Sequence, residues 1–185
     1  MCYNLKNQIQ KEKGITMGLL HIYCGNGKGK TTASLGLAAR AAGAGMKVCF
    51  VQFMKGGETA ELATLKLIPQ ISVIRCDRAY SFLESMTEQD KADITACHND
   101  LLRTAYNGSY DMVILDEFCF AYNCGLMDKD LAQELVLNRK ERPETILTGH
   151  APADIFINAA DYISEIHCVR HPYEKGVPAR KGIEY

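Results

Sequence analysis

The sequence predicts an α/β fold in three layers, with a mostly parallel central sheet of about six strands and helices on both faces. Short apolar runs alternate with longer stretches of helical periodicity, the order expected when crossover helices connect parallel strands. The runs are apolar throughout rather than alternating, as expected for strands that are buried on both faces. The predicted strands are Leu19–Cys24, Lys47–Phe53, Ile71–Cys76, Met112–Leu115, Thr145–Leu147 and Tyr162–His167.

Two of the intervening helices have recognisable start signals. Thr87 and Asp90 have the spacing of a capping box, and apolar residues then recur at helical intervals. Asp128 is placed to cap another helix that runs to Leu137. The helices between the strands are therefore expected to cover a buried sheet.

Length and composition indicate one globular domain. The chain has 185 residues, of which 47% are hydrophobic and 23% charged, and a formal net charge of −1. This composition excludes a disordered, collagen-like or coiled-coil protein. The near-neutral net charge gives no indication of nucleic-acid binding. Residues 1–17 form a polar leader whose composition fits disorder, and residues 18–185 form the predicted domain. With no apolar run of membrane-spanning length, we expect a cytoplasmic protein without membrane contact.

The cysteines are interpreted as reduced thiols. There are eight, none in a CxxC pair, and several lie in apolar runs, as Cys49 and Cys76 do. A buried reduced thiol behaves as a small hydrophobic group. Reduced thiols indicate a reducing compartment. No cysteine–histidine spacing fits a zinc site, so we expect no zinc.

A glycine-rich segment joins the first predicted strand to the first helix and indicates a phosphate-binding loop of the P-loop NTPase type. Its glycines let backbone N–H groups converge on an anion at the helix N-terminus. Lys30 adds a positive charge, and Thr31 offers a hydroxyl to Mg²⁺. The usual pattern has glycine where Cys24 stands. The predicted nucleotide-binding residues are Gly25, Asn26, Gly27, Lys28, Gly29, Lys30, Thr31 and Thr32.

Two acidic residues supply the second half of a nucleotide site. Asp116 and Glu117 follow the apolar run 112–115, so they stand at the carboxyl end of a buried strand. There Asp116 is expected to lie near Thr31, and the predicted Mg²⁺ ligands are Thr31, Asp116 and Glu117. In a hydrolytic protein Glu117 would instead orient water.

A Mg-nucleotide site of this kind leaves the reaction open. An ATP-dependent binding switch and a small ATPase or kinase with Glu117 as base both use such a loop, as does group transfer from the nucleotide.

Further short stretches of sequence narrow the choice of function because they occur together and in a fixed order. They are 29–33, 40–43, 51–56, 115–117, 142–143, 147–149, 159–161 and 176–185. With them the chain resembles, over about residues 18–185, the P-loop type ATP:cob(I)alamin adenosyltransferases, the cob(I)yrinic acid a,c-diamide adenosyltransferase family. The Gln52–Gly56 block and the final Gly-Ile-Glu-Tyr have no role in a general phosphate-loop argument.

The resemblance implies a particular use of the loop. ATP would be the adenosyl donor: cobalt(I) of a corrinoid attacks the ribose 5′ carbon, and triphosphate leaves. Lys30, Lys28 and Mg²⁺ would stabilise the charge on the departing triphosphate. No general base is needed because the nucleophile is a metal centre. A role in adenosylcobalamin synthesis or salvage follows.

The resemblance also assigns residues and partners beyond the loop. Tyr80 and Phe82 match an aromatic pair that crowds the lower face of the corrinoid and removes its lower axial ligand, so we group them with Lys30 as catalytic residues. His150 stands where the family commonly has arginine. A homodimer and a flavoprotein reductant are the partners that the resemblance implies.

Overall fold

The computed structural model describes residues 18–57, 59–77, 83–138 and 142–183. Its centre is a six-stranded sheet, in which every neighbouring pair is parallel, with the order β3-β2-β4-β5-β1-β6. The strands are β1 (Leu20–Cys24), β2 (Val48–Gln52), β3 (Ile71–Arg75), β4 (Met112–Asp116), β5 (Glu144–Thr148) and β6 (Tyr162–Glu165). The six predicted strands and their parallel arrangement are confirmed. Because the order places β4, β5 and β1 side by side, their carboxyl ends meet at one edge of the sheet.

The helices follow the predicted alternation. They are α1 (Lys30–Gly43), α2 (Ala60–Leu65), α3 (Glu88–Asn107), α4 (Phe118–Asn123), α5 (Lys129–Leu137) and α6 (Asp154–Ala159), with short 3-10 turns at Leu83–Ser85 and Pro172–Lys175. The capping box of Thr87 and Asp90 is present, and Asp128 caps α5 as predicted. Among the described residues, no helix has the length and apolar character required to cross a bilayer.

Helices cover the sheet on both sides, which confirms the three-layer prediction. Neighbouring residues of a strand point to opposite faces. Phe50 packs in a cluster with Ala38 of α1, whereas the next residue, Val51, packs with Leu102 of α3 and Phe118 of α4. All five side chains are fully buried. The two apolar clusters therefore hold the sheet rigidly between its helices.

One cysteine prediction is wrong. Cys76, at the end of β3, is bonded to Cys97 of α3, 21 residues further along the chain. The free cysteines of the described part are Cys24, Cys49, Cys119, Cys124 and Cys168. The prediction of reduced thiols rested on the absence of a CxxC pair and on the apolar runs around several cysteines, and neither feature reveals that Cys76 pairs with Cys97. Only the packing of α3 over the end of β3 brings them together.

Removing this disulfide is expected to lower stability. A Cys97→Ser variant should lose about 3 kcal/mol of unfolding free energy, because the unfolded chain is no longer constrained by a loop of this length. Urea unfolding without reductant measures the loss, and Cys168→Ala, which removes a free thiol, is the control. If non-reducing peptide mapping finds Cys76 and Cys97 as free thiols in the wild-type protein, the bond assignment is wrong.

His98 of α3 is fully buried in the core. Its Nδ1 lies 2.7 Å from the carbonyl oxygen of Leu126. Since a carbonyl can only accept, Nδ1 carries the proton. Burial lowers the pKa of His98 to about 4, against the opposing effect of the Leu126 bond. The folded protein therefore holds this imidazole neutral.

This buried imidazole predicts sensitivity to acid. The unfolded chain takes up the His98 proton near pH 6.5 and the folded chain only near its pKa of about 4, so stability falls as the pH drops between these values. His98 should contribute a loss of about 2 kcal/mol between pH 7 and pH 4.5. Urea unfolding at both pH values measures it. His98→Gln should lack this share of the pH dependence, and an equal dependence in both proteins would contradict the prediction.

Candidate functional site

The loop between β1 and α1 has a backbone that only glycine supports at critical positions. Gly25 has φ 97° and Gly29 φ 122°, in the left-handed region where other residues are strained. A Cβ atom on Gly25 would stand 2.4 Å from the carbonyl oxygen of Ile166. The Gly27 N–H donates to that same carbonyl at 2.7 Å, so the loop packs tightly against the segment after β6.

The loop opens at the N-terminus of α1. Gly29 is the cap residue, and no side chain of a described residue caps the helix. The N–H groups of the first turn thus remain available to an anion, which the helix dipole also favours. Lys30 turns its ammonium back over the loop and donates to the carbonyls of Gly25 (2.8 Å) and Gly27 (2.9 Å). The arrangement gives a compact, positively charged cradle.

Asp116 lies beside this cradle at the end of β4, completely buried. Its Oδ1 accepts hydrogen bonds from the hydroxyls of Thr31 (2.9 Å) and Thr148 (2.8 Å). Its Oδ2 lies 2.7 Å from the Lys55 ammonium. The predicted proximity of Asp116 and Thr31 is confirmed, whereas metal binding by this pair stays a prediction.

Glu117 shares this environment. It adopts a left-handed backbone (φ 60°), and its N–H donates to the Thr148 hydroxyl at 3.0 Å. Burial raises the pKa of Glu117 and the adjacent Asp116 charge raises it further, while the cations of Lys55 and Lys30 oppose the shift. The two carboxyls and two lysines therefore form one electrostatic cluster at the sheet edge.

Neither Lys55 nor Thr148 is among the site residues predicted from the sequence. Each follows a strand next to β4 in the sheet: Lys55 comes three residues after β2, and Thr148 ends β5. A search for polar residues at the carboxyl ends of all predicted strands would have found Thr148. Lys55 reaches Asp116 because β2 lies next to β4 and the chain turns at Met54, which has φ 60°.

Other predicted residues lie elsewhere or outside the described part of the chain. Tyr80 and Phe82 lie outside the described residues. His150 is exposed, and its carbonyl accepts the Gly25 N–H at 3.0 Å. Arg142 is buried far from the loop, where it donates to Gly18 O (3.0 Å) and Asp161 (3.1 Å). The 142–143 block thus has a structural role.

A cleft of about 370 Å³ opens next to the cradle. Thr31, Thr32, Lys55 and Glu61 line it, together with Ile183 from the C-terminal segment. Gly182 and Ile183, the described part of the predicted terminal block, therefore lie beside the candidate site.

The donors at this edge fit Mg²⁺ better than a transition metal. No described residues form a group of three or more His, Cys, Asp or Glu side chains that could hold a metal. Two carboxylates and a hydroxyl are a suitable partial set for Mg²⁺, which keeps waters and takes phosphate oxygens for its other ligands. The residues present therefore fit a magnesium ion that arrives with a nucleotide.

The parallel sheet, the glycine loop and the buried acid define an α/β protein of the P-loop NTPase type. Comparison with known proteins is more specific: the family model described as ATP:corrinoid adenosyltransferase BtuR/CobO/CobP matches residues 16–185. The chain belongs to this family of corrinoid-adenosylating transferases, which confirms the resemblance.

Relatives from three bacteria match over nearly the whole chain. A corrinoid adenosyltransferase of Pseudomonas aeruginosa is 31% identical over 91% of this chain and 84% of its own length. One of Escherichia coli K12 is 33% identical over 96% and 89%. The corrinoid adenosyltransferase CobA of Salmonella typhimurium is 34% identical over 96% and 89%. The chain thus spans most of each relative.

Proposed function

We propose that this protein transfers the 5′-deoxyadenosyl group of ATP to the cobalt of a reduced corrinoid and releases triphosphate. Membership of the family supports a corrinoid as the acceptor, and the family description names ATP. The main structural support for ATP as the donor is the contact between Thr31 and Asp116, directly beside the glycine loop. Through this contact, an acid suited to hold magnesium would lie directly beside a loop suited to hold phosphate.

The chain's own residues would act on the leaving group. When cobalt(I) attacks the ribose 5′ carbon, the bond from that carbon to the triphosphate oxygen breaks, and negative charge grows on the triphosphate. The loop N–H groups and Lys30 would stabilise this charge, with Lys55 close by. Lys30 would exchange its two carbonyl acceptors for phosphate oxygens.

Magnesium would be held by Thr31, Asp116 and Glu117. When bound, it would neutralise charge on the triphosphate. Asp116 suits this role because its carboxylate is buried and held between two threonine hydroxyls and Lys55. The raised pKa of Glu117 would fall again next to a divalent cation, which favours its ionised form.

The competing functions differ in what they release. The protein should be mixed anaerobically with Mg-ATP and a chemically reduced corrinoid. Appearance of a light-sensitive alkylcobalt spectrum supports adenosyl transfer. ADP formation that needs no corrinoid and leaves the spectrum unchanged would instead indicate an ATPase with Glu117 as base, or a nucleotide switch.

Tyr80 and Phe82 provide a further prediction. They lie outside the described residues, so the resemblance alone supports their placement at the lower corrinoid face. Replacing both with alanine should reduce turnover from cobalt(II) corrinoid far more than turnover from pre-reduced cobalt(I), because only the first requires loss of the lower ligand. Parallel assays with both forms measure this, and an equal loss would refute the lower-face role.

The organisation of the protein completes the proposal. We place the protein in the cytoplasm and assign it one domain over residues 18–185 after a leader of residues 1–17, a homodimer as the active form, and a flavoprotein as electron donor. The family resemblance supports the last two. Light scattering of the full chain tests the dimer, and a monomeric mass with full activity would reject it.

A further inference from the structure

The segment after β2, residues 53–57, is here called the Lys55 loop. It begins with a strained turn, since Met54 has φ 60°, a left-handed conformation that is uncommon for a residue with a side chain. Such strain persists only where surrounding contacts hold it. The residue that follows is Lys55, whose ammonium lies 2.7 Å from Asp116 Oδ2.

His98 supplies one of these contacts. Its Nε2 lies 3.4 Å from the Met54 nitrogen, which can only donate, so Nε2 accepts. On the other side of the ring, Nδ1 donates to Leu126 O at 2.7 Å. Both partners demand the same neutral tautomer, with the proton on Nδ1. The buried ring therefore bridges the Lys55 loop to the chain between α4 and α5.

Neighbouring contacts fix the rest of the turn. The Phe53 N–H donates to the Asp116 carbonyl at 3.0 Å, and the Phe53 ring meets the His98 ring edge-on at 5.0 Å between centroids. Arg75 donates to Gly57 O at 2.7 Å. The Lys55 loop is thus held at both ends, and His98 contacts it where the backbone turns.

We propose that His98 is a positioning residue for Lys55: by accepting the Met54 N–H, it holds the turn that directs the Lys55 ammonium onto Asp116. The inference rests on the proposed function in one respect, that the Lys55–Asp116 pair helps to bind Mg-ATP. His98 itself touches no reacting group. It acts through the backbone of Met54.

Two substitutions separate this role from general core packing. The amide of His98→Asn can replace Nδ1 and keep the Leu126 bond, but it cannot reach Met54. The longer His98→Gln can place its carbonyl oxygen near the Nε2 position and keep the Met54 bond. Each variant loses one hydrogen bond of the ring, so a merely structural role predicts similar effects.

Hydrogen exchange gives a readout that needs no ligand. The Met54 amide should exchange at least about tenfold faster in His98→Asn than in the wild-type protein, and within about threefold of wild type in His98→Gln. Faster exchange of equal size in both variants, or no change in either, would overturn the proposal. His21→Gln, which alters the histidine paired with Glu144 in the sheet, is the matched control.

A double-mutant cycle tests coupling to Lys55. Calorimetric titration with Mg-ATP should show about tenfold weaker binding for Lys55→Ala and for His98→Asn. The double variant should also bind about tenfold more weakly, because both changes remove the same contact. A loss of about a hundredfold in the double variant would mean independent effects and would overturn the proposal. If the wild-type protein does not bind Mg-ATP, the proposed function fails, while hydrogen exchange still decides the role of His98.

Discussion

Lys30→Ala is expected to lower kcat/KM for adenosyl transfer by about 10² to 10³-fold, the usual cost of removing one donor that stabilises developing negative charge. The Lys30 ammonium lies over the glycine loop, on Gly25 O and Gly27 O, where the triphosphate would be held. The assay follows alkylcobalt formation from pre-reduced corrinoid at varied Mg-ATP.

The matched control for this change is Lys66→Ala, which removes an exposed lysine just after α2. It should leave kcat/KM within about twofold of wild type, as expected for a surface substitution. If Lys30→Ala has no larger effect than Lys66→Ala, the glycine loop does not hold the triphosphate, and the assignment of the cradle is wrong.

Asp116→Asn should cost at least about 100-fold in kcat/KM and raise the Mg²⁺ concentration needed for half-maximal activity. Asparagine has one acceptor where the carboxylate has two, and its NH₂ group would face a hydroxyl or the Lys55 ammonium. A buried site with a mismatched hydrogen bond also loses about 1–3 kcal/mol of stability. Magnesium titrations of activity and urea unfolding measure the two effects.

Asp111→Asn, at the residue just before the same strand, is the control. Asp111 is exposed at the amino end of β4 and accepts the Lys47 N–H at 2.8 Å, away from the cradle. Its replacement should leave the magnesium dependence unchanged. An unchanged magnesium dependence in Asp116→Asn as well would show that Asp116 is no metal ligand.

The sequence was sufficient to predict the six strands, because buried parallel strands need continuous apolar runs and such runs are local. It also predicted that Asp116 lies near Thr31. Each residue lies at or beyond the carboxyl end of a parallel strand, and these ends meet at one edge of the sheet. The strand boundaries were less accurate. The last strand was expected to reach His167 but ends at Glu165, because the following residues bind the glycine loop: Ile166 O accepts from Gly27, and the Cys168 N–H donates to Asn26.

Contacts that depend on the order of the strands could not be predicted. Lys55 and Thr148 reach Asp116 because β2 and β5 flank β4, and local patterns do not determine that order. The Cys76–Cys97 bond depends on how α3 packs near the end of β3, which local patterns do not determine either. The buried His98 gave no sequence signal, since its two partners are backbone groups of distant segments.

Following the fate of the ribose 5′ carbon tests the central claim most directly. ATP labelled with carbon-13 at that position is incubated anaerobically with the protein, Mg²⁺ and cobalt(I) corrinoid, and the products are examined by carbon and phosphorus NMR. We predict that the label becomes bonded to cobalt while inorganic triphosphate appears in equal amount. Label that stays attached to oxygen, with ADP and orthophosphate as products, would contradict the account.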